Sequence, residues 1–214
     1  LRIFCKNCNS TIKGHDFIKQ NIPYKICENC SHLNGVFQDT LEFCEFLYTN
    51  NGGEKYSKNY TPEDYSNFIE RVTQVYDPKV DFLLNSLKEQ GEDTNQLSYL
   101  DFGCGMGHFL KSLRNFNISN VRGFEVSKTF VEKGNLLLNE SLIEEININN
   151  FYSKIGNAQV MSMIGVLEHL EKPYEFLSKL KKVTGLKYLY ISVPTFSFSS
   201  FLELTSQNIF NRQL

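Results

Sequence analysis

The stretch Leu97-Ser-Tyr-Leu-Asp-Phe-Gly-Cys-Gly-Met-Gly107 determines the fold that we predict for this chain. Its first half is a short, mostly apolar run that ends at Asp101, and glycines then follow at every second position. A helix-like run from His108 to Phe116 comes next. This order predicts a buried strand, a turn and the start of a helix. Glycines in such a turn let a ligand lie against bare backbone.

Two classes of cofactor bind to glycine turns of this kind. The dinucleotide pattern G-x-G-x-x-G fails here, because its third glycine would fall at His108. The pattern that is present, one acid and three alternating glycines, resembles the first motif of class I S-adenosylmethionine-dependent methyltransferases. An unrelated doubly wound domain with a similar turn is the alternative. The resemblance implies a cofactor site made of Asp101, Phe102, Gly103, Cys104, Gly105 and Gly107.

A second acid stands where a Rossmann-like site needs one, about twenty residues further on. Val121-Arg-Gly-Phe-Glu125 predicts a short strand that ends in Glu125, whose carboxylate can accept both ribose hydroxyls. Ser127 is a suitable N-cap for a helix that ends near Leu138. The alternative is that Glu125 only interacts with the dipole of that helix.

The rest of the chain alternates between strand-like and helix-like runs. Residues 158–165 and 187–193 predict buried strands with a helix between them. A further strand is expected between Leu142 and Tyr152, where Ile146-Asn-Ile148 alternates. Strands that alternate with helices indicate an α/β fold with a parallel sheet covered on both faces. Ligands bind to such sheets beyond the carboxyl ends of the strands.

Glu168 and His169 follow the strand at residues 158–165 and are the candidate catalytic pair. An imidazole can remove a proton from a substrate at neutral pH, and a neighbouring carboxylate can orient it. The alternative is a histidine that only packs or caps a helix.

Two C-x-x-C pairs near the amino end indicate a metal site. They are Cys5-Lys-Asn-Cys8 and Cys27-Glu-Asn-Cys30, and their four thiolates are the ligands of a structural, tetrahedral Zn²⁺ site. A disulfide pairing, an iron centre, or replacement of one cysteine by His15 or His32 are the alternatives. With four ligands the ion has no open position, so we expect no catalytic role for it.

The net charge of −2 and the lack of a long basic run argue against a general nucleic-acid binder. The sequence contains no run of about eighteen apolar residues and no signal pattern. We therefore expect a cytoplasmic protein with no membrane contact. Six cysteines with four of them paired fit metal binding in a reducing compartment.

Three segments are predicted. Residues 1–40 form a zinc-ribbon-like module, residues 41–96 a connector with entrance helices, and residues 97–214 the methyltransferase domain. The first entrance helix starts with Thr61 as N-cap and buries a face defined by apolar residues spaced three and four apart. Tyrosines of the connector can line a substrate cleft, although packing is their more common role. The connector tyrosines are Tyr48, Tyr56 and Tyr60. The predicted buried face of the helix consists of Tyr65, Phe68, Ile69, Val72 and Val75.

The segment from Phe198 to Leu214 is amphipathic and lacks the hairpin that normally ends class I methyltransferases, so we expect a truncated chain. The cysteine module in front of a methyltransferase sheet is similar to the sugar C-methyltransferases that act on nucleotide-linked deoxysugars. The resemblance implies methyl transfer from S-adenosylmethionine to a small molecule such as a nucleotide sugar. An rRNA methyltransferase with a zinc module and an inactive binding fragment are the alternatives.

Overall fold

The computed structural model describes residues 1–19, 21–38, 40, 42, 43, 46, 64–147 and 151–194. The connector tyrosines and the segment from Phe198 to Leu214 lie outside these residues. The amino end forms a small antiparallel sheet of three strands, β1 (Phe17–Lys19), β2 (Ile22–Ile26) and β3 (Leu33–Gly35). In the described residues, no helix is long and apolar enough to cross a membrane.

Two helices precede the large sheet and are joined by a π-helical turn. Helix α1 (Tyr65–Arg71) runs into the π turn (Val72–Tyr76) and then into α2 (Asp77–Glu89). Asp64, and not the predicted Thr61, is the N-cap, and its side chain accepts a hydrogen bond of 2.9 Å from Asn67 N. Thr61 itself lies outside the described residues.

The buried face of these helices is narrower than the sequence predicted. Phe68 and Val72 are fully buried, whereas Tyr65 and Val75 are exposed. The π turn takes more residues per turn than an α-helix, so Val75 no longer lies on the same face as Val72. Helix α2 begins at Asp77, and Pro78 fits its first turn because a backbone donor is not needed there.

The central sheet contains five parallel strands in the order β6-β5-β4-β7-β8. The Rossmann-like parallel sheet that the sequence predicted is confirmed. The order reverses between β4 and β7, and ligands bind at such a reversal. The strands are β4 (Tyr99–Phe102), β5 (Val121–Glu125), β6 (Ile143–Glu145), β7 (Val160–Ile164) and β8 (Tyr188–Ser192).

Helices cover both faces of this sheet. They are α3 (His108–Asn115), α4 (Lys128–Leu138), α5 (Phe151–Lys154) and α6 (Pro173–Leu180), with a 3₁₀ turn at Leu167–His169. Along β4, Tyr99 packs into the cluster that contains α1 to α4, while Leu100 and Phe102 pack into the cluster with α5 and α6. Because successive side chains of β4 point to opposite faces of the sheet, the strand contributes to both apolar clusters.

The third strand lies within the expected range, three residues before the alternating Ile146-Asn-Ile148. It is β6, and Ile146 follows it as a buried residue whose N–H donates to Glu125 O at 2.9 Å. The side chain of Asn135 pairs with both the N–H and the carbonyl oxygen of Ile143, each at 2.9 Å. This pairing aligns β6 with the helix that precedes it, α4, and alternation of apolar residues did not reveal it.

Candidate functional site

Asp101 lies at the carboxyl end of β4 and is buried. Ser162, its partner position on β7, donates a hydrogen bond of 2.7 Å from Oγ to Asp101 Oδ1. The pKa of Asp101 is raised to about 7: burial is the largest cause, the Ser162 hydrogen bond lowers the value, and the nearby charge of Glu125 raises it. This carboxyl can therefore lose its proton near neutral pH when a cation approaches.

The three glycines after β4 all have positive φ, but for different purposes. A Cβ on Gly103 would lie 2.6 Å from Val166 Cγ2, and a Cβ on Gly107 would lie 2.8 Å from Leu138 Cδ1. A Cβ on Gly105 would meet nothing within 4 Å. The outer glycines therefore allow close packing, whereas the backbone of Gly105 faces open space that a ligand can occupy.

Glu125 holds the glycine loop in place. Its Oε2 accepts a hydrogen bond of 2.8 Å from Gly105 N, and its Oε1 accepts from Val126 N at 2.8 Å and Ser127 N at 2.9 Å. Burial raises the pKa of Glu125, and these three hydrogen bonds lower it. A carboxylate offers about four lone-pair directions, so about one remains here for a ligand.

Two of the predicted cofactor residues turn their side chains into the cores. The ring of Phe102 lies 4.2 Å from that of Phe151 between centroids, in the cluster with α5 and α6. Cys104 is buried on the other face, where a Cβ on Gly123 would lie 2.5 Å from its Sγ. Burial raises the pKa of the Cys104 thiol. Phe102 and Cys104 therefore have only their main chains available to a ligand.

The segment after β7 lies against the glycine loop through the contact between Gly103 and Val166. It carries Glu168 and His169 in the 3₁₀ turn, and His169 N donates to Val166 O at 2.9 Å. Partial removal of the imidazole from water lowers the pKa of His169, although the residue as a whole is exposed. The charge of Lys6 lowers this pKa further, and that of Glu168 raises it.

The structure therefore places Asp101, the glycine loop, Glu125 and the Glu168-His169 pair along one rim of the sheet. Their functional roles stay predictions. One oxygen of this rim, Glu168 Oε2, is enclosed and has no hydrogen-bond partner. A buried acceptor without a hydrogen-bond partner is uncommon in folded proteins, and this oxygen can accept a hydrogen bond from a ligand.

The four paired cysteines lie together at the amino end. The Sγ atoms of Cys5 and Cys30 are 3.6 Å apart, as are those of Cys8 and Cys27, and all four lie within 4.8 Å of one another. A tetrahedral Zn²⁺ with bonds of about 2.3 Å separates its sulfurs by about 3.8 Å, so the arrangement fits this ion.

The pKa values of two of these thiols shift in opposite directions. Burial raises the pKa of Cys27 to about 11, whereas hydrogen bonds, first that of Ser10, lower the pKa of Cys8 to about 5. A buried thiol such as Cys27 ionises only beside a positive charge. The group contains neither His15 nor His32, the two histidines considered as replacement ligands.

Several residues that shape the site were not predicted from the sequence. Ser162 interrupts an otherwise apolar buried strand, and Gly123 lies inside a strand, where glycine often marks a close approach. Both patterns were available signals. Lys6 and Asn34 of the cysteine module gave no signal, because their partners are distant along the chain.

A parallel sheet with reversed strand order, a glycine turn after its central strand and two buried acids define a Rossmann-like domain of the methyltransferase type. A family model described as a methyltransferase domain matches residues 68–210, which is more than half of the chain. The chain therefore belongs to this methyltransferase-domain family, as the sequence predicted.

Two curated relatives share the methyltransferase part. The small RNA 2'-O-methyltransferase of Arabidopsis thaliana is 24% identical over 140 residues, which cover 58% of this chain and 14% of that protein. The ubiquinone biosynthesis O-methyltransferase of Rickettsia typhi is 24% identical over 136 residues, which cover 59% of this chain and 52% of that protein. The chain thus spans about half or less of the length of these relatives.

Two solved structures have the same fold. The plantazolicin methyltransferase BpumL, in complex with a monoazolic desmethylPZN analog and SAH, has a TM-score of 0.52 and 20% identity. That match covers 70% of this chain and 56% of BpumL. The magnesium protoporphyrin IX methyltransferase ChlM of Synechocystis, with bound SAH, has a TM-score of 0.53 and 16% identity and covers 82% of this chain and 81% of ChlM.

Proposed function

We propose that this chain is an S-adenosylmethionine-dependent methyltransferase that acts on a small molecule. The observation that carries the proposal is Gly105, whose bare backbone faces open space and whose N–H donates to the buried acid Glu125. Asp101 and Glu125 lie close enough for their charges to interact. Membership of the methyltransferase-domain family and solved relatives with bound SAH support the same cofactor.

The chain's own residues would hold this cofactor by charge and hydrogen bonding. Asp101 would bind the ammonium group of the methionine part, and the remaining lone pair of Glu125 would accept a ribose hydroxyl. The bound cofactor supplies an electrophilic methyl group on a sulfonium. His169, whose lowered pKa keeps it neutral near pH 7, would remove the acceptor's proton, and Glu168 would orient and charge-balance the imidazole.

For the acceptor we propose a nucleotide-linked sugar. The resemblance of the cysteine module plus methyltransferase sheet to sugar C-methyltransferases supports this class. The net charge of −2 argues against RNA, although one curated relative is named as an RNA methyltransferase. The four cysteines would hold a structural Zn²⁺ that stabilises the amino-terminal module.

Calorimetric titration with S-adenosylmethionine and with SAH tests the cofactor assignment. We expect both to bind the unmodified chain and Gly105→Val to weaken binding by about a hundredfold or more, because a side chain there would occupy the ligand's space. Gly91→Val is the matched control, since Gly91 also has positive φ and open surroundings but lies away from the rim. Equal affinity for the Gly105→Val and Gly91→Val variants would contradict the proposal.

A methyl-transfer assay with labelled cofactor then tests the acceptor. We expect label to enter a compound from a panel of nucleotide-linked keto-sugars and not to enter ribosomal RNA. Transfer to RNA would favour the rRNA alternative. A chain that binds neither S-adenosylmethionine nor SAH would be a binding module and not an enzyme.

A further inference from the structure

The amino-terminal module contacts the loop that carries the candidate base. Lys6, which lies between Cys5 and Cys8 in the sequence, donates a hydrogen bond from Nζ to the main-chain oxygen of Glu168. A second contact joins Gln38 Nε2 to Glu171 Oε1 at 3.1 Å. Two hydrogen bonds therefore connect the module to the segment after β7.

The module holds the backbone of Lys6 in a defined place. Lys6 N donates to Asn34 Oδ1 at 2.9 Å, and Asn34 is almost completely buried. The amide nitrogen of Asn34 donates to His32 O at 3.0 Å and contacts Cys5 Sγ at 3.5 Å. Asn34 therefore holds the main chain of Lys6 next to the cysteine cluster, and the Lys6 ammonium extends from this fixed position.

We propose that Lys6 is a positioning residue of the acceptor side of the site. Its ammonium fixes the main chain of Glu168 and places a positive charge beside His169. The role of His169 in catalysis rests on the proposed function, whereas the hydrogen bond between Lys6 and Glu168 does not.

The charges around His169 support this role. Among the described residues, Glu168 favours the imidazolium form and Lys6 disfavours it, and the surrounding protein also lowers the pKa. The Lys6 ammonium donates to a main-chain oxygen of Glu168, and the enclosed carboxylate oxygen Oε2 keeps no partner. A ligand hydroxyl or amino group can then use this oxygen while the imidazole stays neutral and able to accept a proton.

The test is a pH titration of histidine ring signals by NMR on the full chain loaded with Zn²⁺. The chain has four histidines, and a His169→Gln variant identifies the signal of His169. In Lys6→Met we expect the pKa of His169 to rise by about half a unit, the size of one partly screened charge. Lys6→Arg should return it towards the original value, because the positive charge is restored.

Lys13→Met is the matched control, because Lys13 is an exposed lysine of the same module. It should leave the titration of His169 unchanged. Lys6→Gln serves as a second variant if Lys6→Met does not fold, and metal content and SAH affinity should stay as in the unmodified chain. An unchanged His169 pKa in both neutral Lys6 variants, or an equal shift in Lys13→Met, would overturn the proposal.

Activity separates this inference from the proposed function. With an accepted substrate, we expect the neutral Lys6 variants to lower kcat/KM for the acceptor by about tenfold, while the SAH dissociation constant stays the same. If the unmodified chain transfers no methyl group, the proposed function fails, yet the NMR shift still decides the role of Lys6.

Discussion

The parallel sheet and the amino-terminal module are stabilised in different ways. The sheet lies between two apolar clusters that contain fully buried large side chains such as Phe124, Leu100 and Met161. Among the described residues of the module, the buried hydrophobic cluster is only Cys5, Ile12 and Cys27. A module with so little apolar burial needs another source of stability, and the four-sulfur site can provide it.

Removal of one of the four proposed metal ligands should give the largest effect, and that effect should be confined to the module. We expect Cys27→Ser to release about one Zn²⁺ per chain and to unfold residues 1–40, because metal binding supplies much of the folding free energy of such modules, on the order of 10 kcal/mol. Metal analysis and hydrogen exchange measure the two effects. Cys104→Ser is the control, since Cys104 lies outside the cluster. Retention of the ion by Cys27→Ser would refute the four-cysteine site.

A cavity in the sheet should give the next largest effect and spare the module. Phe124→Ala should lower the free energy of unfolding of the sheet by about 3–5 kcal/mol, because a fully buried aromatic side chain is removed. Urea unfolding measures the loss. The control is Phe82→Ala, which changes a phenylalanine that is 63% exposed. Loss of metal from Phe124→Ala would show that the two regions do not fold separately.

The buried acid at the rim makes the sheet's stability depend on pH. The folded pKa of Asp101, about 7, lies above its ordinary value of 3.8, so the folded state retains a proton that the unfolded state has lost. The stability that this proton contributes is present below pH 3.8 and is lost as pH rises towards 7.

Between pH 5.5 and 7.5, without ligand, ionisation of Asp101 should therefore lower the free energy of unfolding of the unmodified chain by about 2 kcal/mol. The Asp101→Asn variant should not show this decrease. Urea unfolding at several pH values measures it. Asp81→Asn, at an exposed acid of α2, should keep the pH dependence of the unmodified chain. Parallel curves for Asp101→Asn and the unmodified chain would place the pKa of Asp101 outside this window.

The smallest effect is expected on the surface of α4. Lys128 and Glu132 form an exposed pair at 3.8 Å, one turn apart. Glu132→Gln should change the free energy of unfolding by less than about 0.5 kcal/mol, because solvent screens such pairs. A larger change, measured by the same urea unfolding, would mean that surface charge and not core packing dominates the stability of the sheet.

Much of the sheet was predictable because its signals are local. The apolar strands, the glycine turn and Ser127 as N-cap of α4 are each encoded within a few residues. The start of α1 was placed too early because both Thr61 and Asp64 are suitable caps. The exact bounds of β6 within the expected range were not predictable, since hydrogen bonds from the side chain of Asn135 on α4 align the strand.

The rim was predictable in its residue types and less so in its contacts. The spacing of Asp101 and Glu125 pointed to one site, but the partner Ser162 and the contact of Lys6 with Glu168 depend on residues about 60 and 160 positions apart. Sequence patterns relate neighbours along the chain, whereas these pairs form only in the folded chain. The different purposes of the three glycines also required the positions of Val166 and Leu138.

The hydrogen bonds of Glu125 have a consequence for cofactor analogues. Three backbone N–H groups already donate to its carboxylate, so in the proposed role Glu125 would accept one ribose hydroxyl without displacing Gly105. The 2'-deoxy and 3'-deoxy forms of the nucleoside would then lose affinity unequally, because only one of them would lose the hydroxyl that binds Glu125.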